Sequence, residues 1–446
     1  MSDTVHLEIT GLSHDGAGIA RLPAPDPAAG SGLVVFIPGA LPGELVEAMV
    51  TETRPRSARA RLLTVLRPSP DRLSPSASAC SVAERCGGCS LGHLAYPAQL
   101  AFKTNRVAEA LRRIGKLPDV PVSPCLASPL TEGYRNKMQF VVFVEPDSPA
   151  GPDGPASPVR PNPLRFRLGQ YAPGTHDPVP AEDCRLAAPA LRRVAHHLSA
   201  ALTAWASRSP NPDATPGRPT AASPSAPRHA VLRWSAATGE VMVVLVTPTP
   251  AFPAWEELAA DLLARAPEIK SLVQLVNPRP SGAVLTGRRA RIAGRPYLVD
   301  RLGDLTLHLS PESFLQVNLA QTLPLYNLVR EAAALDGSQE VLDVYCGIGT
   351  IALFLAPAAR HVTGLEIVPA AVQDAAATAR LNGLANADFL AGPAERLLPQ
   401  LARRGRRPNV VVVDPPRAGV APEALTAIAA LRPGRLVYVS CDPETL

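Results

Sequence analysis

Long apolar runs are missing from this 446-residue sequence. No uninterrupted apolar stretch approaches the roughly 18 residues that a membrane-spanning helix needs, so the sequence predicts no transmembrane segment. Residues 1–10 contain neither a basic start nor an apolar core, which argues against a secretion signal. Together these absences predict a cytoplasmic protein.

Cysteine is also scarce, and its seven residues are an odd number in a chain without an export signal. A reducing compartment disfavours disulfides, so the cysteines are expected to bind metal or act in catalysis. Cys80, Cys86 and Cys89 follow a Cys-x5-Cys-x2-Cys spacing, and Cys184 is a remote fourth candidate. This pattern is typical of a cubane iron–sulfur cluster. Zinc stays open as the rival because four thiolates suit it too. Cys125 fits neither pattern.

The net charge of +5 is small, so the distribution of charge is more informative than its sum. Basic clusters of the kind seen here are the electrostatic footprint of a polyanion binder. One cluster alone would be interpreted as a solvated face, but four together predict an RNA or DNA partner. No obligate protein partner and no membrane partner is indicated. The clusters span residues 54–72, 103–116, 279–301 and 403–407.

Three regions differ in pattern. Short strands between glycine and proline turns fill residues 1–66 and predict a small OB-type barrel. Residues 67–310 mix helical and strand patterns around two Pro-rich insertions, at Glu145–Pro163 and Ser207–Pro227, which predicts an α+β domain carrying the metal site. Residues 311–446 alternate strands with helices, which predicts an α/β, doubly wound, Rossmann-like parallel sheet.

Polar side chains end three apolar strands of that last region. Ligands of open parallel sheets bind at the carboxyl ends of the strands, so Asp343, Asp414 and Cys441 are predicted to converge. Glu366 ends the second strand about 20 positions beyond a glycine turn, where an acid can bind ribose hydroxyls. The turn lacks the third glycine of a dinucleotide fingerprint. A phosphate-free cofactor is therefore favoured, and S-adenosylmethionine (SAM) fits.

Several motifs point to one family when they are taken together. They are Tyr134-Arg135-Asn136-Lys137, Ser313-Phe314-x-Gln316-x-Asn318, Asp343-x-x-Cys346-Gly347, Asp414-Pro415-Pro416-Arg417-x-Gly419 and Ser440-Cys441-Asp442-Pro443. With the barrel and the four cysteines, they resemble the SAM-dependent RNA uracil-5-methyltransferases, which make 5-methyluridine in tRNA and 23S rRNA. In that family the barrel is a TRAM domain. Its presence beside a cluster pattern is more similar to the rRNA branch.

The resemblance implies roles for individual residues. It implies a SAM site of Gln316, Tyr345, Glu366 and Asp414, a nucleophile at Cys441, and a 4Fe–4S cluster on Cys80, Cys86, Cys89 and Cys184. Thr350 is a weaker cofactor candidate by proximity, and Cys346 is expected to pack in the turn.

The chemistry needs a thiolate for its own reasons. Carbon C5 of uracil is a weak nucleophile, but a thiolate that adds to C6 makes an enolate whose C5 can attack the methyl sulfonium. A base then removes the C5 proton and the thiol is expelled.

The sequence departs from the family pattern at its end. It stops at Leu446, where the family continues with two further strands and a glutamate that serves as the C5 base. The expectation is a C-terminally truncated member, in which the reaction stalls at the covalent adduct unless another group serves as base. An alternative is a non-catalytic, RNA-binding iron–sulfur protein. An amino-methylating enzyme is disfavoured because Arg417, rather than an aromatic residue, follows Asp414-Pro415-Pro416.

Overall fold

The computed structural model describes residues 4–22, 32–74, 80–146, 164–208, 225–280 and 282–446. Most of the two predicted Pro-rich insertions lies outside these residues. The chain forms two compact units, Met1–Ala127 with Tyr171–Thr175, and Ser128–Gln170 with His176–Leu446. The three-domain division predicted from the sequence stays a prediction. Among the described helices, none has the length and apolar character to cross a bilayer.

The first unit is built on a six-stranded mixed sheet. Its elements are β1 Thr4–Glu8, β2 Gly11–Leu12, β3 Gly18–Arg21, β4 Val34–Ile37, β5 Leu45–Arg54, β6 Ser57–Arg67 and helix α1 Tyr96–Arg113. The strand order is β1-β5-β6-β4-β3-β2, with β4 and β6 parallel and the other neighbours antiparallel. A Cβ on Gly18 would lie 2.8 Å from the carbonyl oxygen of Ala40, so only glycine fits there.

A buried ion pair anchors the turn before β5. Glu44 is 0% exposed and accepts hydrogen bonds from Arg72 Nε at 2.5 Å and Arg72 Nη2 at 2.8 Å. The backbone N–H groups of Leu41 and Ser69 also donate to it. Burial by itself would raise the pKa of Glu44, but these hydrogen bonds outweigh it and hold the pKa below its ordinary value. Arg72 therefore has a structural role inside the unit.

The second unit contains a seven-stranded mixed sheet. Its strands are β7 Lys137–Pro146, β8 Leu164–Tyr171, β9 Pro178–Pro180, β10 His229–Trp234, β11 Val241–Thr247, β12 Ile269–Val276 and β13 Arg288–Gly294, with helices α2 Pro189–Arg208 and α3 Trp255–Arg265. The order is β13-β12-β11-β10-β7-β8-β9. Every residue of β11 is buried because both faces of the sheet are covered.

Alternate side chains of β11 pack in two separate hydrophobic cores. Val241, Val243 and Leu245 pack in the core that contains α2 and α3. Met242, Val244 and Val246 pack in a second core. That second core continues into the hairpin β14 Leu298–Leu302 and β15 Leu305–Leu309, and into the C-terminal sheet. One strand therefore contributes to both layers of the unit.

The C-terminal sheet has five parallel strands with helices on both faces. The elements are α4 Leu319–Ala333, β16 Glu340–Val344, α5 Thr350–Leu355, β17 His361–Glu366, α6 Pro369–Leu381, β18 Ala387–Ala391, α7 Ala394–Arg403, β19 Val410–Val413, α8 Pro422–Leu431 and β20 Arg435–Tyr438. The order β18-β17-β16-β19-β20 confirms the predicted doubly wound α/β fold. The direction of strand progression reverses between β16 and β19.

Candidate active site

The carboxyl ends of β16, β19 and β20 form one edge at the topological switch point. Val344 pairs with Val413, so Tyr345 and Asp414 lie just past the ends of neighbouring strands. The N–H of Val439 donates to Val413 O at 2.8 Å, which continues the pairing towards Cys441. Parallel pairing thus places Asp343, Asp414 and Cys441 on adjacent strand ends.

The turn after β16 is tight. Tyr345 has a φ of 66° and Gly349 a φ of 76°, both in the left-handed region. A Cβ on Gly349 would lie 2.7 Å from the ring of Phe389, so a side chain has no room. Cys346 is 8% exposed and burial raises its pKa, so this thiol packs in the turn as the sequence predicts. Thr350 shares a 2.7 Å hydrogen bond with Tyr326, which engages its hydroxyl in packing.

Three carboxylates converge on this edge. Asp343 is 0% exposed; its Oδ2 accepts the N–H of Ala352 at 2.9 Å, and its Oδ1 has no partner among the described residues. Burial, and next the charge of Asp414, raises the pKa of Asp343 to about 8. Burial raises the pKa of Asp414 to about 6. Glu366 accepts N–H bonds from Gly347 at 3.0 Å and Val368 at 2.8 Å. The edge is therefore suited to a cationic ligand.

A second segment, residues 310–318, carries Gln316 and is called the Gln316 loop below. Asn136 holds it through two bonds, from its N–H to Val317 O at 3.0 Å and from its Nδ2 to Gln316 O at 3.1 Å. Arg233, which is 3% exposed, donates to Ser313 O. Asn136 of the Tyr134–Lys137 motif and Arg233 of β10 thus support the loop.

Phe314 belongs to the motif Ser313-Phe314-x-Gln316-x-Asn318, and the sequence alone predicts no role for it. Its 63% exposure on the Gln316 loop is unusual for an aromatic side chain in a chain with 4% aromatics. An exposed aromatic ring is a platform on which a nucleic-acid base can stack. The low aromatic content of the sequence was the signal that could have drawn attention to Phe314.

Cys441 is exposed and lies in a turn fixed from both sides. Ser440 Oγ donates to Asp442 O at 2.7 Å, and Thr445 Oγ1 donates to Arg417 O at 3.0 Å. A Cβ on Gly419 would lie 2.7 Å from Thr445 O, so the two turns pack closely. Cys441 is thereby held next to the Asp414–Gly419 turn while the residue remains exposed.

Two family models match this chain. One, described as "TRAM domain", matches residues 3–63. The other, described as "tRNA (Uracil-5-)-methyltransferase", matches residues 234–446.

Curated relatives align along the whole length. An "Uncharacterized RNA methyltransferase" of Halalkalibacterium halodurans is 37% identical over 445 residues, covering 100% of this chain and 89% of the relative. One of Enterococcus faecalis is 36% identical over 445 residues, covering 100% and 90%. The chain belongs to the family of SAM-dependent RNA (uracil-5-)-methyltransferases.

A solved structure has the same fold as this methyltransferase. The "tRNA (uracil-54, C5)-methyltransferase" of Pyrococcus abyssi, in complex with S-adenosyl-L-homocysteine, superposes with a TM-score of 0.70 at 24% identity. The match covers 99% of this chain and 91% of that one. SAM is the methyl donor of the family.

The three carboxylates predict how SAM binding by the methyltransferase depends on pH. SAM affinity is expected to rise between about pH 6 and pH 8, because Asp414 and then Asp343 become ionised and attract the sulfonium and ammonium groups. Isothermal titration across this range measures it. Asp343→Asn should flatten the upper part of the profile. An affinity that falls as pH rises would contradict the assignment.

The predicted metal ligands are only partly organised. The N–H of Gly88 donates to Cys86 Sγ at 3.4 Å, a contact that turns binding metal thiolates commonly make. Cys184 belongs to the second unit, whereas Cys80, Cys86 and Cys89 belong to the first. Within the described ranges, no three His, Cys, Asp or Glu side chains come close enough to hold a metal ion. Four thiolates suit an iron–sulfur cluster chemically, but the structure does not assemble them.

Ion pairs neutralise much of the predicted basic surface. In the stretch 279–301, Arg289, Arg291 and Arg295 pair with Glu312, Glu256 and Glu240. In the stretch 54–72, Arg54, Arg67 and Arg72 pair with Glu52, Glu8 and Glu44. Arg59 and Arg61 differ from these: they are exposed on β6 and make no ion pair with any described residue. These two arginines are therefore better RNA candidates than the paired arginines of the same stretch.

The last basic cluster lies away from the candidate site. Residues 403–407 connect the end of α7 to the start of β19, which is the amino edge of the sheet. Arg406 pairs there with Glu340 at 3.6 Å. Because Cys441 and Asp414 lie at the opposite, carboxyl edge, this cluster does not flank the candidate site.

Proposed function

We propose that the protein methylates C5 of a uridine in RNA through a covalent bond between Cys441 and C6. The observation that carries this proposal is the exposed Cys441 in the turn after β20, which pairs with the strand that leads to Asp414, at the edge where three carboxylates meet. Tyr345, Glu366 and Asp414 from the sheet, together with Gln316 from its loop, are proposed to bind SAM. Glu366 is proposed to bind the ribose hydroxyls, since it ends β17 at the carboxyl edge of the sheet.

The proposed reaction has three steps: addition, methyl transfer and elimination. The Cys441 thiolate adds to C6, and the C5–C6 π electrons move into an enolate. Carbon C5 then attacks the methyl group, and the sulfonium leaves as S-adenosylhomocysteine. Removal of the C5 proton by a base restores the double bond and expels the thiolate. Phe314, exposed beside Gln316, would stack on the target base or a neighbour.

The substrate proposed here is 23S rRNA, since a TRAM domain occurs beside a cysteine cluster, with tRNA as the alternative. Incubation with methyl-labelled SAM and either RNA, followed by digestion to nucleosides, tests both. Labelled 5-methyluridine from the rRNA is the expected result. Label in tRNA alone would reassign the substrate, and a labelled nucleoside other than 5-methyluridine would refute the reaction.

RNA affinity is expected to depend on Arg59 and Arg61 of the TRAM domain. Replacing both by alanine should lower the affinity and reduce the slope of log affinity against log salt by about two, one for each lost phosphate contact. Filter binding across a salt series measures this. Arg67→Ala is the matched control on the same strand, because Arg67 already pairs with Glu8 at 3.0 Å. Equal effects of the two variants would contradict the assignment.

A 4Fe–4S cluster on Cys80, Cys86, Cys89 and Cys184 is also proposed, from the spacing and the Gly88-to-Cys86 bond. Anaerobically prepared protein should contain iron and absorb broadly near ~400 nm. Cys86→Ser should lose the iron, whereas Cys125→Ser should keep it. Metal analysis that finds zinc and no iron would refute the cluster.

A further inference from the structure

One carboxylate of α6 joins the Gln316 loop to the five-stranded sheet. Ser310 Oγ donates to Asp374 Oδ2 at 2.6 Å, and Ser313 Oγ donates to the same oxygen at 2.8 Å. The N–H of Ser310 also donates to Ser313 Oγ at 3.0 Å. Both serines are buried, so these bonds are shielded from water. Asp374 thus fixes the beginning of the loop.

The other anchors of the loop come from the seven-stranded sheet. Asn136 and Arg233 hold its backbone, and Arg289 forms a bidentate ion pair with Glu312. Asp374 differs because its helix begins at Pro369, three residues after Glu366, and the Oε1 of Glu366 accepts the N–H of Val368 at 2.8 Å. A short turn held by this bond and the first residues of α6 therefore connect Glu366 to Asp374.

We propose that Asp374 is a positioning residue of the SAM site. Through Ser310 and Ser313 it sets the separation between Gln316 and Glu366, which come from different parts of the chain, and it does not itself touch SAM. The inference rests on the proposed function, in which Gln316 and Glu366 bind SAM. Its physical basis is that a cofactor held by two separate segments loses affinity when one segment shifts.

Asn382 at the other end of α6 provides a matched control. Its Nδ2 donates to Thr306 O at 2.8 Å, and its Oδ1 accepts the N–H of Thr306 at 2.8 Å. The contact ties the same helix to strand β15, at the end away from the Gln316 loop. Loss of either contact removes two hydrogen bonds between α6 and this part of the chain, but only Asp374 anchors the loop.

The experiment measures SAM dissociation constants by calorimetry, KM for SAM, kcat and melting temperature. Asp374→Ala is expected to weaken SAM binding roughly tenfold, by displacing the loop. Asn382→Ala should change SAM affinity by no more than about twofold, although it also lowers the melting temperature. Asp374→Asn keeps an acceptor oxygen and should restore most of the affinity. A Ser310→Ala/Ser313→Ala double variant should reproduce the loss, with no further loss in the Asp374→Ala background.

Unchanged SAM binding in Asp374→Ala, or an equal loss in Asn382→Ala, would overturn the proposal. If Asp374→Ala does not fold, the serine double variant and Asp374→Asn decide the question by the same comparison. Gln316→Ala and Glu366→Ala are measured alongside. If neither weakens SAM binding, the proposed cofactor site is wrong; if both do while Asp374→Ala does not, only the positioning role is wrong.

Discussion

Replacing Cys441 by alanine is expected to abolish methyl transfer and covalent adduct formation, with a rate loss of at least about 10³-fold. The loss is large because C5 of uracil is a weak nucleophile until a thiolate adds to C6. RNA containing 5-fluorouridine makes the test direct, since fluorine at C5 replaces the proton whose removal would release the enzyme. A denaturing gel should show a protein–RNA band, labelled from SAM, in the unaltered protein only.

Cys346→Ala is the matched control for this experiment. Cys346 belongs to the same edge of the sheet, but the residue is only 8% exposed and burial raises the pKa of its thiol, which disfavours the reactive thiolate. The variant should still form the adduct. SAM binding by Cys441→Ala should also persist, since the thiol is not among the groups proposed to hold SAM. An adduct that survives in Cys441→Ala would assign the nucleophile elsewhere.

Arg72→Ala is expected to destabilise the TRAM domain by about 3 kcal/mol, because it leaves the buried Glu44 carboxylate without its cation. Amide hydrogen exchange in β5 and β6 measures the change locally. Arg67→Ala removes an exposed pair with Glu8 and should cost less than about 1 kcal/mol. Equal destabilisation by the two substitutions would show that burial of the Glu44 pair contributes nothing.

The effect of Arg72 should also depend on pH. The folded-state pKa of Glu44 is lowered from its ordinary value of 4.5, so the pair stabilises the domain above that value. Its contribution is lost as the pH falls through the lowered pKa and Glu44 takes up a proton. The free energies of unfolding of Arg72→Ala and the unaltered protein should therefore converge in acid.

The five-stranded sheet could be predicted from the sequence because its strands are short, β-branched runs with abrupt polar ends. Val410–Val413 and the residues after it show both features, and the structure places Asp414 beside Tyr345 as the pattern requires. Burial on both faces leaves such strands few polar residues, so their boundaries are distinct.

Side-chain contacts between residues far apart in the chain could not be predicted from the sequence in the same way. The arginines of β13 form an obvious basic run, yet the partner of Arg289 is Glu312, beyond the next hairpin. The contacts of Asp374 could not be predicted either, since nothing near it in sequence identifies Ser310 and Ser313 as its partners. Such contacts depend on tertiary packing between elements far apart in the chain, which local periodicity does not encode.

Strand β11 has a consequence for how this chain can be divided. Because Val243 and Val244 point into different cores, neither core is complete without the other layer. A fragment that begins after the seven-stranded sheet would expose to water the apolar residues that pack on β11. A fragment that contains only the seven-stranded sheet would likewise expose one apolar face of β11. The second unit is therefore expected to unfold in a single cooperative transition. Its five-stranded sheet is not expected to fold as a separate fragment.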